Sequence, residues 1–324
     1  MTEQRKALES ILQQGAITTL FQPIFDITKQ SIIGYEALSR GPKNSPLAMP
    51  NKLFETAHKY QLISELELLC RSRAIENFVK LNLQGKLFLN VSPKILLDPS
   101  HPKGETLHLI EQFGLAANRV VIEVTEQEKV DDGFLLLKTI AHYRELGFTI
   151  AIDDLGAGYS GLKQWSQLCP DIVKIDRYFI DHCDQSEVKK EFLKSIVVLA
   201  RATNTAVIAE GIERTEELDL VKSIGISHVQ GFLLERPSQQ PSYDYNCKQL
   251  QSLTSTQAAS KFEQSMAIGV LAVAQPAISS HTRCKEAHAL FEQDKSIISL
   301  PVLNSSQQPI GLLHKDQLTE VFAA

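Results

Sequence analysis

Short apolar segments alternate with amphipathic segments from the beginning of the chain to about residue 240. The apolar segments lie at residues 19–27, 32–40, 86–91, 119–126, 148–154, 171–176, 205–213 and 227–232. The segments between them carry the period of a helix; in residues 131–146, one face holds Phe134, Leu137, Ile140 and Ala141. Strands rich in Val, Ile and Leu, interleaved with amphipathic helices, are typical of parallel strands covered by helices.

The number of these strands favours a closed barrel. About eight of them alternate with helices, which predicts an α/β fold with a TIM-like (β/α)8 barrel over residues 1–246. The first two apolar segments are close enough along the chain to form an antiparallel pair, so we expect an antiparallel first strand. A doubly wound open sheet is the alternative, but no GxGxxG motif follows the first strand.

The pattern changes after about residue 245. Residues 247–266 are polar and predict a connecting helix, and residues 267–324 predict a small α+β module. The elements of this module are expected in the order β-α-β-β-α at residues 268–274, 284–294, 297–303, 309–314 and 315–323.

The composition is that of an ordinary soluble globular protein, with 43% hydrophobic and 22% charged residues in a chain of 324. A net charge of −5 argues against a general polyanion-binding surface, so nucleic acid is not an expected partner. No apolar segment is long enough to span a bilayer, and the polar N-terminus does not resemble a signal peptide. The five cysteines are scattered without a CxxC spacing, which fits a reducing cytoplasm.

Polar residues gather at the C-terminal ends of the predicted strands. In a parallel barrel these ends meet at one mouth, which is where such barrels carry their active sites. Solvated carboxylates normally lie on helix faces rather than at the ends of Ile and Val strands, so solubility does not explain the pattern. The residues are Glu36, Asn90, Glu123, Glu126, Asp153, Asp154, Lys174, Asp176, Glu210, Glu213 and Gln230.

A ring of so many carboxylates would repel itself unless cations lay within it. Hard divalent cations with oxygen ligands, Mg²⁺ or Mn²⁺, remove that conflict, and the ligands suffice for two ions with a bridging aspartate. Zinc is disfavoured because the set contains no sulfur or histidine. Two such ions activate a water for displacement at phosphorus, which predicts a phosphodiester substrate. The candidate ligands are Glu36, Asn90, Glu123, Asp153, Asp154 and Glu210.

Seven motifs in fixed order resemble the EAL-domain family, which comprises bacterial phosphodiesterases that cut cyclic di-GMP to linear pGpG. The resemblance covers residues 5–245. With FQPI upstream of the first, the motifs are YEALSR (35–40), NVSP (90–93), IEVTE (122–126), IDDLGAGYSGL (152–162), VKID (173–176), AEGIE (209–213) and QGF…RP (230–237).

The resemblance implies a role for each matching residue. Asp153 would bridge two ions, the first completed by Glu36, Asn90 and Glu123, and the second by Asp154 and Glu210. Lys174 would contact the nucleophilic water, and Glu126 would fix the loop after Asp154. The catalytic residues would therefore be Glu36, Lys174, Glu210 and Glu126. The substrate-binding residues would be Gln22, Leu38, Arg40, Asp176, Glu213 and Gln230, with Arg40 facing a phosphate.

Several alternatives remain open at the level of sequence. Asp176 could act as a local cap, and we favour this structural role over substrate binding. Lys174 could instead be a Schiff-base lysine. The surrounding carboxylates disfavour that alternative because they keep the amine of Lys174 protonated. Leu155 and Gly161 depart from the Phe and Ser common in the family, which is compatible with a looser loop and with reduced activity but does not imply that activity is absent. The chain could also be a catalytically silent cyclic di-GMP receptor. A barrel enzyme acting on a sugar phosphate lacks support, because no glycine-rich phosphate loop lies near the last strands.

The C-terminal module resembles one CBS motif in its element order and in the segments LPVL and PIGLL. CBS motifs work in pairs and a single one is present, so we expect a homodimer or a continuation of the chain. The family usually has Ser or Thr before its ribose-contacting Asp, whereas His314 and Lys315 precede Asp316 here. Adenine-nucleotide binding at this module is therefore an open question.

Overall fold

The computed structural model describes residues 3–92, 105–125, 133–156, 161–244, 277–279, 281–293, 299–305 and 309–315. The chain divides into two compact units, Met1–Ser255 and Thr256–Ala324. The predicted connecting helix at 247–266 and the predicted strand at 268–274 lie outside the described residues, so the proposed domain boundaries stay predictions.

Eight strands of the first unit form a closed barrel in chain order. They are β1 (Thr18–Asp26), β2 (Ser31–Arg40), β3 (Lys86–Val91), β4 (Val120–Thr125), β5 (Thr149–Leu155), β6 (Ile172–Ile175), β7 (Ala206–Ala209) and β8 (His228–Val229). β1 is antiparallel to β2 and to β8, and the remaining neighbours are parallel. Only residues 27–30 join β1 to β2, which is too short for a crossover helix. The predicted barrel with an antiparallel first strand is confirmed.

One helix precedes β1, and further helices lie between the later strands on the outside of the barrel. They are α1 (Glu3–Gln14), α2 (Pro50–Lys59), α3 (Ile63–Lys80), α4 (Glu105–Gln112), α5 (Gly133–Glu145), α6 (Gly161–Leu168), α7 (Arg177–Ile180), α8 (Glu187–Ala202) and α9 (Thr215–Ser223). Short 3₁₀ turns span Ala117–Arg119 and Cys183–Gln185. None of the described helices combines the length and the apolar composition that crossing a bilayer requires.

Local sequence signals explain how these helices begin and which face they bury. The hydroxyl of Ser186 accepts a hydrogen bond from the backbone N–H of Lys189 and caps α8, whose buried residues follow the helical period. In α5 the predicted face is partly wrong, because Leu136, Ile140 and Tyr143 are buried whereas Ala141 is exposed. The apolar residues of this helix cover more than one face, so periodicity alone did not select the one that packs.

The second unit contains a three-stranded sheet and one helix within its described residues. These elements are β9 (Ile278–Ser279), α10 (Cys284–Gln293), β10 (Ser299–Leu303) and β11 (Pro309–His314). The middle strand, β10, is antiparallel to β11 and parallel to β9. The small hydrophobic core of this second unit consists of Ile278, Ala287, Phe291 and Leu300. The helix and the last two strands lie where the sequence predicts them, and the predicted final helix lies outside the described residues beyond Lys315.

Candidate active site

The alternation of side chains along each strand builds the site in two layers. An apolar layer fills the barrel interior and consists of Ile24, Phe88, Val121, Ala151, Ile172 and Ile208. Residues two positions further along a strand point to the same side, so the next layer toward the mouth is polar. Its members lie two residues nearer the mouth, on the same strand or at its end; they are Gln22, Asn90, Glu123, Asp153, Lys174 and Glu210. The apolar layer therefore closes the floor of the site and removes it from bulk water.

Lys174 lies at the centre of the polar layer and is 1% exposed. Its Nζ contacts four carboxylates, each contributed by a different strand or strand end. The distances are 2.7 Å to Glu123 Oε1, 2.7 Å to Glu210 Oε1, 3.0 Å to Asp153 Oδ1 and 3.3 Å to Glu36 Oε2. The barrel thus brings together charged groups that are far apart in the sequence.

The protonation of this cluster follows from burial and charge. Burial by itself lowers the pKa of Lys174, but the surrounding carboxylates raise that pKa well above its usual value, so the ammonium is retained. Burial raises the pKa values of Glu123 and Glu210 well above the ordinary carboxyl range, although Lys174 opposes the shift. A single ammonium does not balance the buried carboxylates, and they therefore have a strong affinity for protons or further cations.

Two groups of carboxylates have the spacing of cation ligands. Ligand atoms of Glu36, Glu123 and Asp153 lie within 4.8 Å of one another, and so do those of Asp153, Asp154 and Glu210. Asp153 belongs to both groups, as a bridging ligand must. Oε2 of Glu123 is buried and has no hydrogen-bond partner among the described residues, which leaves an acceptor for a cation. The residues present therefore fit hard divalent ions.

The adjacent aspartates sit on a bulge at the end of β5. The pairing of β5 with β6 shifts between Ile152 and Leu155, and Asp154 adopts a left-handed φ of 56°. Regular pairing resumes where the N–H of Asp176 donates to the carbonyl of Leu155 at 3.3 Å. The bulge lets both aspartate side chains serve one site, because strict alternation would send them to opposite faces. Burial and the neighbouring charge of Asp153 raise the pKa of Asp154 to about 6.

Gly156 continues this turn with a φ of 101°, a conformation that disfavours every residue with a side chain. A Cβ at this position would overlap the ring of Phe179 in α7. Phe179 also packs edge-on against Tyr178, with ring centroids 5.3 Å apart, and its ring is tilted against that of Phe192 at 5.7 Å. The turn that carries Asp154 is therefore held against an aromatic cluster.

Side-chain amides fix the first glutamate. Nε2 of Gln230 donates to Glu36 Oε2 at 2.8 Å and to Gln22 Oε1 at 3.1 Å, and Nδ2 of Asn90 donates to Glu36 Oε1 at 3.1 Å. These hydrogen bonds and the charge of Lys174 lower the pKa of Glu36 despite the opposing effect of burial. Glu36 is therefore held as an anion pointing toward Lys174.

A cavity of about 380 Å³ opens above this layer. Most of the residues predicted to bind substrate or metal line it, whereas Lys174 and Glu123 lie beneath it and Glu126 lies outside the described residues. The lining residues predicted from the sequence are Gln22, Glu36, Leu38, Asn90, Asp153, Asp154, Asp176, Glu210, Glu213 and Gln230.

Asp176 has the capping role that the sequence favoured. Its Oδ1 accepts a hydrogen bond from the N–H of Tyr178 at 2.9 Å and caps α7, while the residue also lines the cavity. Capping and lining are compatible because a carboxylate has two oxygens.

Arg177 also lines the cavity and was not singled out by sequence reasoning. Its guanidinium forms a two-pronged ion pair with Glu213, with N–O distances of 2.8 and 2.9 Å. Its position directly after the VKID motif, at a strand end, was the available signal.

Arg40 lies in an adjoining cavity of about 420 Å³, which shares Leu38 and Asn90 with the first one. Its Nη1 donates to the carbonyl of Ser39 at 2.9 Å, and burial lowers its pKa. Two buried charged residues of α3, Glu67 and Arg71, line the same cavity and were missed because nothing in the helical pattern marks them. The two cavities, of about 420 and 380 Å³, leave room for a ligand beside the carboxylate cluster.

The fold and the site define a (β/α)8-barrel protein with an acidic mouth of the kind that holds divalent cations. The family model described as the EAL domain matches residues 4–237. The chain belongs to the EAL-domain family.

Curated relatives and solved structures agree with this assignment. The chain is 27% identical to the probable cyclic di-GMP phosphodiesterase PdeA of Escherichia coli, over 71% of this chain and 32% of that protein. It is 29% identical to the cyclic di-GMP phosphodiesterase NbdA of Pseudomonas aeruginosa, over 72% of this chain and 30% of that protein. The chain thus spans about a third of the length of these curated relatives.

Two solved structures share the fold and more than a quarter of the aligned residues. A standalone EAL protein of Vibrio cholerae O395, in a c-di-GMP-bound form, matches with a TM-score of 0.63 and 29% identity, over 70% of this chain and 95% of that one. The manganese and cy-diGMP complex of Klebsiella pneumoniae BlrP1 at pH 9.0 matches with a TM-score of 0.63 and 29% identity, over 69% of this chain and 56% of that one.

Proposed function

We propose that this chain hydrolyses cyclic di-GMP to linear 5′-pGpG. The observation that carries the proposal is the pair of carboxylate groups that share Asp153 beneath a cavity of about 380 Å³. The same chemistry is named for relatives in its family, and one structural relative holds manganese together with the dinucleotide.

Two Mg²⁺ or Mn²⁺ ions would occupy these groups. Glu36, Asn90, Glu123 and Asp153 would hold one ion, and Asp153, Asp154 and Glu210 would hold the other. When bound, such ions supply Lewis-acid activation of water and of the phosphodiester.

Lys174 supplies hydrogen bonds rather than a base in this arrangement. The carboxylates keep its amine protonated, so it donates and does not accept a proton. Its Nζ lies 2.7 Å from Oε1 of Glu210, which lines the cavity, so the ammonium lies next to the place where a water would attack phosphorus. The same protonation argues against a Schiff base, since that chemistry needs a neutral amine.

The substrate would lie across the cavity floor. Gln22, Leu38, Asp176, Glu213 and Gln230 line the space around the carboxylates, and Arg40 extends the surface into the adjoining cavity. Arg40 offers a planar pair of donors to a phosphate there. Glu126 would fix the loop after Asp154; this residue lies outside the described part of the chain.

Incubation of the purified chain with cyclic di-GMP across a Mg²⁺ and a Mn²⁺ titration tests the proposal. Chromatography should show pGpG appearing only with metal, and Glu36→Ala should abolish it because the first ion loses a ligand. Binding of cyclic di-GMP by metal-loaded protein without any product would contradict hydrolysis and leave the silent-receptor alternative.

We also propose that residues 1–246 form the phosphodiesterase barrel, that 247–266 connect it to a single CBS-like motif at 267–324, and that the protein is a homodimer. The parallel β9–β10 pair followed by the β10–β11 hairpin supports the CBS-like order.

The proposed homodimer is supported by an exposed apolar surface on the barrel unit. More than half of each side chain is exposed for Tyr178, Val188 and Phe192, as expected of a contact surface for a second copy. Light scattering at micromolar concentration should give twice the monomer mass, and titration with AMP tests adenine-nucleotide binding at the motif.

A cytoplasmic location is part of the same proposal. The four cysteines within the described residues, Cys70, Cys169, Cys183 and Cys284, are unpaired, as expected in a reducing compartment. Fractionation of cells that express the full chain, with thiol labelling, should find it in the cytoplasm with reduced cysteines.

A further inference from the structure

Glu36 lies at one end of a chain of hydrogen bonds that leads away from the metal cluster. Nε2 of Gln230 donates to Glu36 Oε2 at 2.8 Å and to Gln22 Oε1 at 3.1 Å. Nε2 of Gln22 in turn donates to the backbone carbonyl of Glu235 at 3.0 Å. The carboxylate of Glu36 is thus connected, through two amides, to the segment that follows β8.

A second arm returns from that segment to β2. Oε1 of Glu235 accepts a hydrogen bond from the N–H of Ser242 at 2.8 Å. The carbonyl of Ser242 accepts one from the hydroxyl of Tyr35, also at 2.8 Å. Tyr35 immediately precedes Glu36 in β2, so the hydrogen bonds close into a ring. We refer to it as the Glu36 ring; its members are Glu36, Gln230, Gln22, Glu235, Ser242 and Tyr35.

The direction of each amide in the ring is fixed by its partners. The NH₂ group of Gln22 donates to the Glu235 carbonyl, so the side-chain oxygen of Gln22 faces Gln230. Gln230 must then present its NH₂ to both Gln22 and Glu36. Only this orientation lets Gln230 donate to Glu36, because the reversed amide would place an oxygen against the carboxylate.

Burial keeps solvent away from four of the six ring members, whereas Glu235 and Ser242 are half-buried. Tyr35 is 1% exposed, Gln230 is 3% exposed, and Gln22 and Glu36 are each 7% exposed. Burial, with a further contribution from the charge of Glu235, raises the pKa of Tyr35 to about 12, so its hydroxyl stays a donor. A lost bond in such an environment leaves a buried polar group unsatisfied.

The backbone anchors the far side of the ring beside β1. Phe21 and Ser238 exchange two backbone hydrogen bonds of 2.7 and 2.9 Å, next to Gln22. Residues 235–242 are therefore held as a short strap along β1, with the Glu235 side chain bridging its two ends. That bridge helps to hold the Glu235 carbonyl in place for Gln22, together with the hydrogen bond from the Glu235 N–H to the Gly231 carbonyl at 3.0 Å.

We propose that Glu235 is a positioning residue for Glu36: its carboxylate closes the Glu36 ring, and the ring aims the Glu36 carboxylate at the first cation. This inference rests on the proposed function, in which Glu36 binds that ion. Glu235 does not line the cavity. Its hydrogen bonds reach the site through Gln22, Gln230 and Tyr35, and its backbone N–H also donates to the carbonyl of Gly231, which lines the cavity.

Metal affinity and kinetics of full-chain variants test the proposal. Glu235→Ala should weaken Mn²⁺ binding in calorimetry, and lower kcat, by about 10-fold, the low end of the range for outer partners of metal ligands. KM for cyclic di-GMP should rise as well, because Gln22 and Gln230, which line the cavity, lose the same anchor. Tyr35→Phe opens the ring at another bond and should act in the same direction.

Two variants serve as controls. Glu235→Gln keeps the acceptor for the Ser242 N–H and should retain affinity and kcat within about threefold of the parent. Gln240→Ala changes an exposed side chain of the same segment outside the ring and should match the parent. A folded Glu235→Ala protein with parental Mn²⁺ affinity would overturn the proposal, and so would equal losses in Glu235→Ala and Glu235→Gln.

A thermal double-mutant cycle in metal-free buffer separates this inference from the proposed function. If the ring exists, Glu235→Ala and Gln230→Ala should not be additive, and the double variant should melt about 2 °C or more above the additive value. Additive shifts would overturn the ring even if the parent hydrolyses cyclic di-GMP. A parent that binds no Mn²⁺ but shows the coupling would instead refute the proposed function together with the aiming role of Glu235.

Discussion

Nζ of Lys174 lies 2.7 Å from Oε1 of Glu123, and both side chains are essentially inaccessible to water. Removing one partner of a buried ion pair leaves the other charge without compensation, which is more costly than the pair is stabilising. Lys174→Met should therefore lower the free energy of unfolding by about 3 kcal/mol in metal-free buffer at neutral pH. Denaturant titration with EDTA measures this loss.

The same variant also separates a structural from a catalytic role. Mn²⁺ should restore much of the stability of Lys174→Met, because divalent ions can neutralise the carboxylates that the ammonium leaves behind. The restored protein should still turn over cyclic di-GMP at least about 100-fold more slowly, since a donor to the attacking water is gone. Full activity in the metal-loaded variant would show that Lys174 only balances charge.

Asp153 and Asp154 should differ in how many metal ions they control. Asp153 belongs to both carboxylate groups and Asp154 to one. Asp154→Asn should therefore reduce Mn²⁺ stoichiometry from two to one, whereas Asp153→Asn should abolish tight binding at both positions. Electron paramagnetic resonance of bound Mn²⁺ reads this directly, because two neighbouring ions couple magnetically. Equal stoichiometries in the two variants would contradict a bridging role for Asp153.

The layered site follows from features that the sequence displays. Strands with a period of two place Ile172 and Lys174, or Ala151 and Asp153, on the same side, and parallel strand ends meet at one mouth. Because these rules are local, they predicted the barrel, the antiparallel first strand and most of the residues that line the cavity.

Features that depend on three-dimensional closure were not predictable in the same way. The separation of Arg40 from the metal cavity and the pairing of Arg177 with Glu213 depend on distances across the mouth, which no spacing in the chain encodes. The role of Glu235 was equally hidden, because its partner Ser242 is set by the path of the strap after β8. The left-handed conformation of Asp154 arises from the bulge in β5. Two adjacent aspartates in a sequence do not by themselves predict such a conformation.

Gly156→Ala should disturb the turn that carries Asp154. The added Cβ meets the Phe179 ring, and the φ of 101° is unfavourable for alanine. The variant should melt at a lower temperature and lose affinity for one of two Mn²⁺ ions. Adding Phe179→Ala should recover part of the metal affinity by relieving the overlap but not the backbone strain.

Gly114→Ala is a matched control for that substitution. Gly114 also has a left-handed φ, of 68°, but nothing lies within 4 Å of its would-be Cβ. It should lose only about 1 kcal/mol of stability and keep both ions. Equal effects of the two alanines on Mn²⁺ stoichiometry would contradict the importance of the Phe179 contact.

His228 should make the barrel less stable in acid. Its Nε2 lies 3.5 Å from Asp26 Oδ2 where β8 meets β1, yet burial lowers its pKa below the ordinary value of 6.5. A histidine whose folded-state pKa is depressed binds fewer protons when folded, so its contribution to stability is complete above about pH 6.5 and declines as pH falls through the folded-state pKa. The melting temperature should drop between pH 7.5 and pH 5.5. His228→Gln should make that drop smaller, because the other titrating groups are unchanged by the substitution and only the contribution of His228 is removed. If both proteins show the same slope by calorimetry, the depressed pKa of His228 contributes nothing to the acid sensitivity of the fold.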